Sequence, residues 1–579
     1  MQKEERANLL PTRAENPYSK HIFILPFVIS NDKGLEPQAN VWGKISDMKD
    51  LPYLEEDRYR YAYEKFLNQE VHDAIRDYSR TYRYKGGERY YQVHCYRKNE
   101  DSSVAENDTH IQSYQLDINY ILMRLIQDDA KDDTDSRIPA RTGFLIIAAD
   151  NYYYEDLESI RAINQYGRRI YDPFLTPVLY YRESPYDITL SDQSLTEVVS
   201  PIAEPRDDFS VGKVEVKSAI KDLFHSFFGQ NILLFPQGFR EKNDKQLLEI
   251  NRILDDRMFV LSDYQLEKSD FDELSLAIRE TSDPQFKKFC QSSDEDKPED
   301  KWLKLVYKQQ KRLYSYIYID NGDSTCQSAR AIVPLLQRSI YDRWLDSGTI
   351  YGVTQHSMLM VTTKSVPDYL LAYFYSEYLE MILFVLTQRV RILSFSSDAG
   401  ERAKNSENTD AILQLQKRYV IFKNQFLLPE LSSQEQAVEL YQMMQENFFI
   451  LSQKEILDDQ ITSLYEISQA ESAVEEKKRD EKLNNVVLAL TIFTIFTALG
   501  DFESSINVIL SVFEVFGVQD LTKVCLFGLS GSLLVKIVVV FLYILCIVRL
   551  IIASEVSYDY PKIFRDMLAY IFGWKRGKK

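Results

Sequence analysis

The sequence predicts a cytoplasmic α+β or α/β unit that continues into a long helical stalk and two C-terminal transmembrane helices. Three observations carry this reading. Short β-rich apolar runs alternate with helical patterns over residues 1–364. An unbroken helical pattern then runs from about Ser433 into apolar sequence. Two stretches near the C-terminus, 486–510 and 533–553, are apolar over the ~20 residues that a helix needs to cross hydrocarbon.

Within residues 1–364, HIFILPFVIS (21–30), GFLIIAAD (143–150), NILLFP (231–236), YSYIYID (314–320) and TIYGVTQHSMLMVTT (349–363) read as strands bounded by Gly, Asp, Asn or Pro. DRYRYAYEKFLNQEVHDAIRDY and SARAIVPLLQRSIYDRWL read as helices between them, so a large mixed sheet is expected. The acidic stretches 128–137 and 292–301 are too polar to bury; they read as solvated loops that could also hold divalent cations.

Residues 365–432 form the expected helical hairpin region, opened by Ser365 as N-cap with Pro367 just inside and divided by the polar linker SSDAGERAKNSENTD. The stalk is expected over 433–485 and joins the first span without a Pro or Gly before Gly500, which makes one helix of about 100 Å at 1.5 Å per residue. Leu457, Ile461 and Leu464 share one face of it, a seam for an oligomer or a helical bundle.

The first span, 486–510, carries a polar stripe. Asn484, Val487, Thr491, Thr494, Ala498, Asp501 and Ser505 follow one another at spacings of three and four, which puts them on one helical face. Charged groups inside a span are costly unless they meet water or a partner, so Asn484, Thr491, Thr494, Ala498, Asp501 and Ser505 read as pore-lining, with Asp501 and Glu503 as an acidic outer mouth. The alternative is that the threonines bond their own backbone or pack helix on helix, with Asp501 outside the bilayer. Lys477, Lys478, Arg479 and Lys482 before the first span, and a basic tail at 554–579 after the second, place both ends in the cytoplasm and the loop 511–532 outside.

Composition narrows the function. A net charge of -18 argues against direct nucleic-acid binding, which needs a basic field. Five scattered cysteines without CxxC pairing indicate neither a disulfide framework nor a zinc site. No P-loop, metal-spaced histidine pair or hydrolase constellation occurs, so no enzyme is expected. Two Arg/Tyr-rich stretches could stack on a base and pair with phosphate: Arg80, Tyr82, Arg83, Tyr84 and Arg89 in the first, Arg168 and Arg169 in the second. Both also read as ordinary solvated faces in a chain with 39 tyrosines.

The order of a cytoplasmic domain, a stalk helix that becomes the first span, an outer loop, a second span and a basic tail resembles the CorA family of divalent-cation channels. The resemblance is strongest over residues 411–579, where FKNQFLLPELSSQEQAVELYQMMQEN is similar to the family's helical hairpin and LNNVVLALTIFTIF to the start of its pore helix. It implies a multi-pass protein of the bacterial inner membrane, assembled as a homo-oligomer (a pentamer in that family). The family's Gly-Met-Asn selectivity motif is missing, and the matching region reads SSINVILSVF. Together with the enlarged cytoplasmic domain, that departure resembles the membrane effectors of type III CRISPR systems. In those, a nucleotide second messenger such as the conjugate of S-adenosylmethionine with AMP binds the cytoplasmic side and makes the membrane leaky. Three readings stay open: a ligand-gated antiviral channel, a constitutive divalent metal-ion transporter, and a membrane-anchored sensor without transport.

Overall fold

The structure, a computed structural model, describes residues 11–30, 40–54, 64–86, 90–98, 109–127, 140–170, 191–194, 218–235, 248–280, 283–291, 301–320, 326–404, 409–515, 525–526 and 529–530. The chain divides into two compact units, Met1–Ser472 and Ala473–Lys579.

The first unit is mixed α and β. Its strands are β1 (Ser19–Ser30), β2 (Trp42–Ile45), β3 (Ser79–Tyr84), β4 (Tyr90–Lys98), β5 (Thr109–Gln127), β6 (Ala140–Asn151), β7 (Ser191–Ser194), β8 (Ile232–Leu234), β9 (Leu248–Arg252), β10 (Phe259–Leu266), β11 (Ile340–Tyr341), β12 (Thr349–Val353) and β13 (Ser357–Thr363). Its helices are α1 (Gln69–Tyr78), α2 (Leu157–Gly167), α3 (Ser218–Phe228), α4 (Lys268–Arg279), α5 (Pro284–Gln291), α6 (Lys301–Ile317), α7 (Ala329–Ser339), α8 (Asp368–Tyr375), α9 (Glu377–Ala403), α10 (Thr409–Phe426), α11 (Glu435–Asn447) and the start of α12 (Ile450–Val515).

The strands form one sheet with the main order β11-β12-β13-β10-β1-β6-β5-β3-β2. Pairing is antiparallel except for β10 with β13 and β8 with β9. Helices cover both faces, and the pleat sorts the side chains between two cores. Ile22 and Ile24 of β1, Phe144 and Ile146 of β6, and Met358 and Met360 of β13 face the helical bundle of α8 to α11 and the start of α12. Their neighbours Phe23, Leu25, Leu145, Ile147, Leu359 and Val361 face α2, α3, α4, α6 and α7. A sheet buried on both faces needs apolar residues at every position, which is why these strands read as continuous runs rather than as alternation.

Four local expectations are corrected. YSYIYID is the end of helix α6, not a strand. Leu303, Val306, Gln310, Leu313 and Ile317 are buried at spacings of three and four, and that periodicity overrides the β-propensity of the aromatic cluster. Pro367, not Ser365, caps α8. Most of the linker SSDAGERAKNSENTD is helix, because α9 continues to Ala403.

The fourth correction concerns the stalk. It does not start near Ser433: α11 ends at Asn447 and α12 begins at Ile450, with Phe449 at φ 57° between them. Beside the break Phe448 is buried against Phe259, with ring centroids 5.8 Å apart. From there α12 is continuous to Val515. Its seam residues Leu457, Ile461 and Leu464 are buried in the bundle of the same chain. Tyr419 and Lys423 of α10 hold Asp458 beside that seam at 2.7 and 2.9 Å.

Among the described residues one stretch, Asp368–Ala403, is long and apolar enough to cross a membrane, with a mean hydropathy of 1.4, but it is mostly buried within the structure. It is a core helix. Of the second unit, the structure describes the later part of α12 and a short antiparallel pair, β14 (Cys525–Leu526) and β15 (Leu529–Ser530), in the stretch expected as the outer loop. The expected second span, 533–553, lies outside the described residues, as do the two acidic stretches apart from Lys301.

Candidate functional site

The described residues bring one group of cations together beyond what their acidic neighbours balance. It is built at the C-terminal end of α2. Asp156 caps that helix by accepting from Ser159 N at 2.7 Å. Asn164 fixes it to the sheet, its Oδ1 accepting from His21 Nδ1 at 2.7 Å and its Nδ2 donating to Tyr264 Oη at 3.1 Å. At Gly167 a Cβ would stand 2.8 Å from the Phe23 ring, so only glycine lets the helix end approach the sheet so closely.

The chain then passes Arg168 and Arg169 along residues 255–258. Arg169 pairs with Arg257 in an isolated antiparallel bridge, and Met258 N donates to Arg168 O at 2.6 Å. This places both arginines at the start of β10, beside the turn that carries Gln355 and His356 into β13, where Val260 N donates to His356 O. From the bundle side Arg389 of α9 donates to Gln355 O at 3.2 Å and to its Oε1 at 3.3 Å, and its guanidinium lies 5.7 Å from the Phe448 ring.

The four guanidiniums are not equal. Arg257 is paired, its Nε and Nη2 reaching Asp255 at 2.9 and 2.8 Å. Arg168 is only 3% exposed and donates to the neutral Gln165 Oε1 at 2.8 Å, with Ile319 O at 3.4 Å. The Nε atoms of Arg168, Arg169 and Arg389 are buried without a hydrogen-bond partner. Burial, followed by the charges of Arg257 and Arg169, pushes the basicity of Arg168 down to about 9. Burial likewise lowers Arg169 and Arg389. His356 is pushed down to about 4, by burial first and then by Arg257, Arg168 and Arg389 against the pull of Asp255, so it is neutral at pH 7. Four guanidiniums thus share two carboxylates, Asp255 and Asp256, and three donors point at nothing. A buried unsatisfied donor costs ~1–3 kcal/mol. An anion with several oxygens, a phosphate or carboxylate group, is the chemistry that such an excess of guanidiniums would accept.

The other sequence candidates do not join this cluster. Three strands separate β3 from β10 in the sheet, roughly 19 Å at 4.8 Å per strand. Tyr82 and Tyr84 pack edge-on against Phe227 and Trp42, with centroids 5.2 and 5.1 Å apart, so they are core tyrosines rather than a stacking platform. Arg80 is buried beside Tyr82, Arg83 is half-buried, and Arg89 lies outside the described residues. Asn484, Thr491, Thr494, Ala498, Asp501, Glu503 and Ser505 all lie on α12. Thr491 and Thr494 are exposed, and their hydroxyls donate to Val487 O and Leu490 O at 2.8 Å. That is the backbone bonding of the alternative reading. No group of three or more His, Cys, Asp or Glu converges on a metal position among the described residues.

Sequence reasoning named Arg168 and Arg169 but missed Arg257, Arg389 and His356. The available signal was Arg389, a cation inside the apolar run LFVLTQRVRIL. Comparison of the chain with protein-family models, with curated proteins and with solved structures finds no match.

Proposed function

We propose that this chain is the subunit of an oligomeric membrane channel whose opening is set by an anionic, nucleotide-type ligand. One observation carries the reading. The first turns of α12 are buried in the α/β unit, while further along the same helix Leu483, Val486, Val487, Leu488 and Leu490 are exposed next to the polar stripe. Apolar side chains exposed at that density call for lipid or a second copy around them. The arginine cluster supplies the ligand chemistry, and Arg389 over Phe448 joins it to the residue before the break at which α12 begins. A ligand gates only by binding two states unequally, and pulling on Arg389 offers such a difference.

The resemblance to CorA channels makes the assembly a homo-oligomer of the bacterial inner membrane. The missing Gly-Met-Asn motif favours an antiviral effector of the type III CRISPR kind over a metal transporter. The test is binding of linear, cyclic and S-adenosylmethionine-conjugated adenylates to the full chain, together with ion flux in liposomes. One of them binds the wild type and raises flux, the double variant Arg168→Met, Arg169→Met loses binding, and Asp501→Asn keeps binding with lower cation flux. Flux without any messenger returns the reading to the constitutive transporter; binding without flux returns it to the anchored sensor.

A further inference from the structure

The bundle-facing side of the sheet holds a polar cavity that is separate from the arginine cluster. It has a volume of 230 Å³ and lies between β1, β5, β6 and α8. Asp150 lines it and is 9% exposed. Its one hydrogen bond among the described residues comes from Asn119 Nδ2 at 3.4 Å. Asn119 sits at a register shift between β5 and β6, a bulge of the kind that re-aims side chains.

No described group forms an ion pair with Asp150, and the charge that attracts it is that of Lys20, from beyond hydrogen-bond distance. Asp117, opposite it on β5, is already paired with Arg13 at 3.0 Å. Lys20, opposite it on β1, makes no ion pair with it; its ammonium stands instead 5.8 Å from the centre of the Tyr375 ring. Asp263 lies deeper and is satisfied by Tyr375 Oη, Lys20 N and Gln265 Nε2. Burial raises the Asp150 carboxyl above its usual range. Tyr53 and Tyr120, with centroids 5.8 Å apart, and Tyr375 form the aromatic part of the wall, beside His21, Pro52 and Leu371.

We propose that this cavity binds a small organic cation, an alkylammonium or guanidinium group, whose charge meets Asp150 while Tyr53, Tyr120 and Tyr375 enclose its carbon skeleton. Aromatic faces and a buried carboxylate attract a cation together. Lys20 over Tyr375 is the internal substitute that such a ligand displaces. Among the described residues no group of three or more His, Cys, Asp or Glu converges here, so a divalent metal ion would have to keep most of its waters. An anion would meet the Asp150 carboxylate. The proposal holds whether or not the chain crosses a membrane.

The test uses the full chain in detergent with a reporter cysteine on the cavity rim, Ala372→Cys, and Leu371→Cys as a second reporter. Each is labelled with trimethylammonium-ethyl or sulfonatoethyl methanethiosulfonate, and modification is read by peptide mass spectrometry. The cationic-to-anionic rate ratio, normalised to that of the half-exposed Cys326, is expected about tenfold higher at the reporter, the factor of a 1.4 kcal/mol attraction. Asp150→Asn brings it back towards the Cys326 value, Lys20→Met raises it, and methylguanidinium slows labelling where the neutral methylurea does not. Equal ratios at the two positions, a ratio that Asp150→Asn leaves unchanged, or labelling indifferent to methylguanidinium overturns the proposal.

Discussion

Arg124 and Arg168 are buried to the same degree in the same unit, and they are buried in opposite ways. Arg124, with its side chain 4% exposed, meets the fully buried Glu380 of α9 through Nη1 at 2.6 Å and Nη2 at 2.7 Å. Thr81 and Tyr53 accept further donors, at 3.2 and 3.0 Å, and Tyr53 Oη itself donates to Glu380. Arg168 faces two neutral oxygens, two other arginines and a neutral histidine, and the one carboxylate that attracts it, Asp255, is already held by Arg257. The first arrangement is closed and ties the sheet to the bundle. The second is short of negative charge, which no stability argument explains, because removing a poorly partnered buried ion commonly stabilises a protein. What separates a structural arginine from a binding arginine is therefore not burial but whether its partners are already present.

The largest effect should come from breaking the closed arrangement. Glu380→Gln leaves Arg124 buried with a neutral partner, and loss of one member of a buried pair costs about 3–5 kcal/mol. The apparent melting temperature of the full chain in detergent should fall, and Arg124→Met, which strands Glu380, should lower it by a similar amount. A variant that melts with the wild type would mean that water reaches the pair.

Next comes a third way to bury a base, which is to give up its charge. His21 lies between Asn164, Ser19 and Ser262, and burial pushes it down to about 4. Its folded pKa is below its unfolded value of about 6.5, so the unfolded chain binds the extra proton. Stability is complete above about pH 6.5 and is lost as pH falls towards 4, by about 3 kcal/mol in total. His21→Gln should flatten the dependence of melting temperature on pH in that window. An unchanged slope would place the loss on other groups.

β1, β6, β12 and β13 were legible because continuous apolar runs such as FILPFVI and GFLIIAAD have few other solutions, whereas β3, β5 and β10, whose apolar residues are mixed with polar ones, were not. α6 was misread because YSYIYID satisfies β-propensity locally, and its helical period emerges only when Leu303 to Leu313 are counted with it. The break at Phe449 carried no sequence mark, since neither Gly nor Pro is present there. The arginine cluster was half legible. Arg168 and Arg169 are adjacent in sequence, whereas Arg257 and Arg389 come from elements that only the fold makes neighbours.

The open arrangement should respond in the reverse sense. Arg168→Met removes a buried cation whose partners are neutral, so the ligand-free chain should melt at the same temperature or higher, by about 1 kcal/mol. Binding of an anionic ligand should be lost. A destabilisation matching that of Glu380→Gln would show that Arg168 is already paired, and the contrast between the two arginines would collapse.

The smallest effect is expected at the joint between the cluster and α12. Phe449 holds φ at 57°, a region that costs a residue with a Cβ about 1–2 kcal/mol and costs glycine almost nothing. Its side chain is 41% exposed, so removing it forfeits only part of its burial, and the added freedom of glycine in the unfolded chain costs about 0.5–1 kcal/mol. These terms nearly cancel, and Phe449→Gly should change stability by less than about 1 kcal/mol while Phe448 keeps its place against Phe259 and Arg389. Ligand affinity at the cluster should be unaltered, because no guanidinium has moved. The ligand-dependent flux should nevertheless weaken, since a glycine at the joint lets α11 and α12 turn independently and uncouples Arg389 from the helix it would pull. Unchanged flux together with unchanged affinity would show that the signal does not pass through Phe449, and that Arg389 only fills space beneath the site.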